Sequence, residues 1–140
     1  MRIMGLDLGT ERIGVAVSDE SRTLAQGRAL LRRESDTAVI DRLISMIGEL
    51  GVGEIVVGLP VNMDGSKGER ALDSERFADK LRRRAELPVH LWDERLSTRE
   101  AEAVMLEADL SRKKRKKSVD KLAAQLILQS YLDSRKRTDV

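Results

Sequence analysis

The sequence predicts an α/β fold: a mixed five-stranded sheet, its first three strands a meander, with helices on both faces. Three observations lead there. Near the start, two apolar runs flank a short polar turn; "EIVVGLP" is apolar almost throughout; and charged segments with helical spacing separate the later strands. A meander followed by β-α-β units closes as a mixed sheet covered on both sides.

"RIMGLDL" is the first strand and "GTER" the turn. "RIGVAVS" is the second strand, in which Ile13, Val15 and Val17 alternate, so the pair forms a hairpin. "TLAQGRALLR" is the third strand. The spacing then changes from two to 3.6. In "SDTAVIDRLISMIGELG", Ser35 or Asp36 caps a helix, Val39, Ile40, Leu43, Ile44, Ile47 and Leu50 form its inward stripe, and Gly51 stops it. "EIVVGLP" suits a parallel strand buried on both faces. After the loop "VNMDGSKGE", residues 69–85 form a charged helix with Leu72, Phe77 and Leu81 inward, and "PVHLW" is the fifth strand. "STRE" at 97–100 fits the capping box of a helix running to about Asp109. Ser118 caps a last helix through Leu132, with Leu122, Leu126, Ala123 and Ala124 inward.

The 140 residues fit one domain, 1–140, with no repeat or linker. The absence of Cys excludes a disulfide framework, a thiolate nucleophile and a Cys metal site. No apolar run approaches the roughly 20 residues of a membrane span, and no leader is evident. A cytoplasmic protein without a membrane partner is therefore expected. The net charge of +2 hides an asymmetry. Residues 111–140 hold 10 Lys and Arg against 3 Asp and Glu, while residues 1–110 hold 16 against 21. Arg112, Lys113, Lys114, Arg115, Lys116 and Lys117 follow one another in "SRKKRKKS". Such a block points to a polyanion partner, with an exposed, solvated loop as the plainer alternative.

Several acids stand at the ends of predicted elements. Asp7 closes the first strand inside an apolar run, Asp93 and Glu94 close the fifth, and Asp120 lies in the first turn of the last helix. Ligands of open α/β sheets bind beyond the carboxyl ends of parallel strands, so Asp7 and Asp93 or Glu94 emerge at one edge. Strand alternation allows only one of Asp93 and Glu94 to face a given site. Asp120 has a simpler explanation, since an acid in a first turn offsets the helix dipole by about 0.3–1 kcal/mol. Carboxylates gathered at one spot must share a proton or bind a cation. Oxygen ligands without His or Cys favour Mg²⁺ or Mn²⁺, which can activate water toward a phosphodiester.

"GLDLGTERIGVAVSD", "VVGLPVNMDGSKG", "DERLSTREAE" and "SVDKLAAQLILQSYL", in that order, resemble the YqgF family, also called RuvX, of RNase H-like proteins. The likeness runs from Met1 to about Leu132. It implies a small nuclease that matures the 5′ end of pre-16S rRNA, with Holliday-junction resolution as the alternative activity. The family's acidic triad maps onto Asp7, Glu94 and Asp120, which selects Glu94 over Asp93 by resemblance. In the loop after strand four, Gly65 and Gly68 allow close backbone approach to a phosphate. Asn62 and Ser66 can donate hydrogen bonds there, and Lys67 adds charge. Two rivals remain. "LDLGT" before a hairpin also resembles the opening of actin and sugar-kinase proteins, but these need a second similar domain. A nucleic-acid-binding protein without catalysis would use the basic block equally well, yet it gives no reason for three acids to converge. His90, the only histidine, suits a structural place, and Phe77, Trp92 and Tyr131 are too few for base stacking.

Overall fold

The computed structural model describes residues 1–96 and 112–138, with side chains described for residues 1–96 and 122–135. The first three expected strands become β1 (Arg2–Leu8), β2 (Arg12–Ser18) and β3 (Ala25–Arg32), and the later strands are β4 (Val52–Leu59) and β5 (Val89–Asp93). They form one sheet in the order β3-β2-β1-β4-β5. β1 pairs antiparallel with β2 and parallel with β4, and β5 extends the parallel side. The carboxyl ends of β1, β4 and β5 thus share one edge, as the meander-then-crossover pattern requires.

α1 (Asp36–Leu50) begins at Ser35, whose side chain accepts from the Ala38 N–H. It ends at Gly51, which takes the left-handed conformation (φ 68°) that a side chain would disfavour. α2 (Glu69–Ala85) buries Ala71, Ser74, Phe77, Ala78 and Leu81. Leu72 is exposed instead of inward, because Ala71 and Ser74 occupy that turn of the buried stripe. α1 and α2 cover one face through Met4, Leu6, Ile13, Val15, Leu43, Ile55, Val57, Phe77 and Leu81.

The last helix, α3 (Arg112–Thr138), covers the other face through Ala124, Ile127, Leu128 and Leu132 against Ile3, Ala16 and Val56. It starts six residues earlier than Ser118 and extends beyond Leu132. The basic block is therefore the first turns of this helix and not a loop, and Ser118 lies inside it. Lys and Arg are good helix formers, and the amphipathic part that follows has already met the cost of nucleation. The helix expected at about 97–109 lies outside the described residues. None of the helices is long and apolar enough to cross a membrane, judged on the described residues.

Two glycines set the distance between α3 and the sheet. A Cβ on Gly5 would lie 2.7 Å from Leu128 Cβ, and one on Gly58 would lie 2.6 Å from Ile127 Cδ1. Both contacts are shorter than real side chains adopt, so the helix lies directly on bare β1 and β4 backbone.

Candidate active site

Alternation along β1 places Ile3, Gly5 and Asp7 on the α3 face, opposite Met4, Leu6 and Leu8. Along β5, Val89 and Leu91 join the α1/α2 core, while Trp92 packs against the α3 cluster and His90 stacks on Tyr131. The chain then tightens into a 3-10 turn at Glu94–Leu96. The two candidate acids here separate. Asp93 accepts from the Arg95 backbone N–H at 2.9 Å and from its guanidinium at 2.6–3.1 Å. These bonds hold its carboxyl below the usual range. Glu94 instead folds back over β4, where a Cβ on Gly58 would lie 2.7 Å from its Oε1. There it hydrogen-bonds the Asp7 side chain.

Burial pushes the Glu94 carboxyl up, and the hydrogen bond and charge of Asp7 push it further, to about 8, against a small opposing pull from Arg70. Two carboxyls in contact repel unless a proton or a cation lies between them. The donors are oxygen only, which suits a hard divalent cation.

Residue 120 lies on α3 one turn before Ala124, whose carbonyl oxygen would lie 3.3 Å from a Cβ on Gly5. α3 runs antiparallel to β1, since Ala124 and Leu128 lie over Gly5 and Leu132 packs with Ile3. One turn, about 6 Å, carries its backbone toward the Asp7 end of β1. The helix begins eight residues before Asp120, so a first-turn dipole role no longer accounts for that acid. Its carboxylate lies outside the described residues, as do the side chains of Arg112, Lys113, Lys114, Arg115, Lys116 and Lys117. Among the described residues, no three acidic or imidazole groups gather into a metal-sized cluster.

The loop after β4 is internally bonded. Asn62 Nδ2 donates to Ser66 Oγ at 2.9 Å, Ser66 Oγ donates to Asp64 at 2.6 Å, and Gly65 takes a positive φ of 86°. Lys67 lies 3.2 Å from Glu75. Arg95 ties this loop to the 3-10 turn by donating to the Met63 carbonyl at 3.2 Å. His90 stacks on Tyr131 and lies 3.4 Å from Glu54. Burial alone would raise the Glu54 carboxyl, but hydrogen bonds from Tyr131 and Arg135 outweigh it and hold the group low. The sequence alone assigns Gly58 no role. An isolated glycine inside the apolar run of β4 was the available signal of a close approach.

A family profile described as "RuvX: Holliday junction resolvase" matches residues 1–134. The chain belongs to the RuvX family. A candidate pre-16S rRNA nuclease of Geobacillus kaustophilus (strain HTA426) is 55% identical over 97% of this chain and 100% of its own length. One of Thermoanaerobacter pseudethanolicus is 52% identical over 97% and 99%. Among solved structures, T. thermophilus RuvC in complex with a Holliday junction matches with a TM-score of 0.61 and 16% identity, covering 99% of this chain and 97% of that one. The fowlpox virus Holliday junction resolvase follows at 0.56 and 14%, covering 96% and 99%. These likenesses establish the RNase H-like fold, and membership of the RuvX family makes the chain a nuclease, a phosphodiester hydrolase.

Proposed function

We propose that this RuvX nuclease, acting as one domain over residues 1–140, cleaves pre-16S rRNA at its 5′ end. In this reading Asp7, Glu94 and Asp120 hold Mg²⁺ or Mn²⁺. The observation that carries it is the Asp7–Glu94 pair, brought together over Gly58 at the carboxyl edge of the parallel strands. The rRNA substrate is supported by relatives at 52–55% identity with that name. When bound, the cation would activate water and stabilise the leaving oxygen of the phosphodiester.

This chain's own residues supply the rest. Asp7 and Glu94 would hold the cation once the proton between them is released. Gly58 leaves room for Glu94 to reach it. Arg70, on the first turn of α2, donates to the Leu8 carbonyl at 3.3 Å and places a positive charge beside the pair. Arg112 to Lys117 occupy the part of α3 roughly 10–18 Å before Ala124, beyond the same edge, where they grip the backbone. Asn62, Ser66 and Lys67 contribute a loop that meets a phosphate after partial exchange of their internal bonds.

The test compares cleavage of a 5′-extended 16S precursor with that of a four-way DNA junction. Faster cleavage of the precursor is expected, and preference for the junction would move the substrate to branched DNA. Asp7→Asn is expected to lower cleavage by more than about 100-fold while binding stays intact or tightens. Wild-type turnover by the folded variant would remove Asp7 from the centre.

A further inference from the structure

The mechanism leaves a second group of cations unused, on the β2–β3 side of the acids. β2 and β3 pair so that Arg12 stands directly opposite Arg32, and both are exposed. Like charges directly opposed across two strands destabilise a sheet. Among the described residues, neither guanidinium has a hydrogen-bond or ion-pair partner. Their neighbour Arg33 differs sharply: it donates to Asp73 at 2.8 and 2.9 Å, to Asp36 at 3.2 Å and to the Gly9 carbonyl at 3.1 Å. The three arginines, with Thr10, Glu11 and Leu30, line a groove of about 550 Å³. The lining holds three guanidiniums against one carboxylate.

We propose that Arg12 and Arg32 form a phosphate-binding pair that carries the nucleic-acid backbone away from the acidic centre across the β1–β2 hairpin. The ligand class rests on the nuclease reading above; the geometry does not. Asp7 pairs with Gly14, and Arg12 lies two residues further along β2, on the same face as Asp7. Strand spacing and rise put the Cα of Arg12 roughly 8 Å, and that of Arg32 roughly 12 Å, from that of Asp7. Gly14 and Gly9 lie between, and neither has a side chain to obstruct the path; the Gly9 N–H donates to the Arg12 carbonyl at 2.8 Å. A backbone crossing the acids thus meets bare main chain and then two planar forks, which suit the paired oxygens of a phosphate. Bound phosphate would also neutralise the repulsion that the empty pair carries.

The test measures binding of a single-stranded RNA and of a duplex DNA as salt is raised. It uses Asp7→Asn protein so that no turnover intervenes, with and without Arg12→Gln and Arg32→Gln. Losing two phosphate contacts is expected to flatten the slope of log affinity against log salt by about 1.4 on the single strand or about 1.8 on the duplex. The melting temperature should stay equal or rise, because opposed like charges have been removed; a damaged fold would lower it. The Arg12→Lys, Arg32→Lys protein should recover most of the slope. Slopes and affinities equal to those of the parent overturn the proposal. So does a Lys pair that binds no better than the Gln pair, since charge then has no part in the loss. Glu94→Gln with both arginines intact reads the acidic centre separately: if it still cleaves, the metal-site reading fails, and the salt slopes alone decide the arginine pair.

Discussion

The two faces of the sheet are built to different rules. The face under α1 and α2 is filled by large apolar side chains, among them Phe77, Leu43, Leu81, Met4 and Leu6, all fully buried. The face under α3 has Gly5 and Gly58 where side chains would otherwise pack, a polar knot of Glu54, Tyr131 and Arg135, and the proton-sharing pair Asp7 and Glu94. Burial and the Glu54 carboxylate push the Tyr131 hydroxyl to about 12, so it stays a donor in that knot at every working pH. One strand serves both faces by alternation. The larger apolar cluster lies on one side, and the other side carries groups that oppose folding.

The largest expected effect falls on the apolar face. Phe77→Ala should destabilise the protein by about 3–5 kcal/mol by leaving a cavity, with turnover per folded molecule unchanged. Urea unfolding and active-fraction kinetics together check this. If turnover collapsed in step with stability, the division of labour between the faces would fail.

Gly58→Ala should destabilise by less, about 1–3 kcal/mol, because the new methyl meets Ile127 and Glu94 at 2.6–2.7 Å. Its effect on kcat should be far larger than that of Phe77→Ala, about 100-fold, since a misplacement of roughly 1 Å at a reacting centre has that scale. Full activity in a stable Gly58→Ala protein would show that Glu94 need not lie over β4.

A third effect is a pH dependence confined to the α3 face. Glu94 titrates at about 8 in the folded, metal-free protein, against an ordinary value of 4.5. Its contribution to stability is therefore complete below about pH 4.5 and is lost as pH rises through about 8. Glu94→Gln should remove that decline, and Phe77→Ala should keep it. Denaturation midpoints of the metal-free proteins between pH 6 and 9 provide the measurement. A decline of equal size in wild type and Glu94→Gln would assign the titration to another group.

Much of this was legible in the chain itself. The two apolar runs flanking the first turn place β1 and β2 to the residue, and the Ser35 and Gly51 signals bound α1, because local backbone and capping chemistry suffice for such elements. The acids at the ends of β1 and β5 marked one edge, because parallel strands must end together. Other features depended on contacts between distant segments. The inward place of Leu72 went to Ala71 and Ser74, a matter of how closely α2 approaches the sheet. Asp93 and Glu94 are equivalent as adjacent acids, and only the 3-10 turn, the Arg95 clamp and the vacancy at Gly58 separate them. Arg12 and Arg32 are 20 residues apart and unremarkable until strand register opposes them. Residue type and local spacing therefore determined the elements and the chemistry available. Tertiary structure decided which of those groups meet, since burial, register and close approach arise only when separated segments pack.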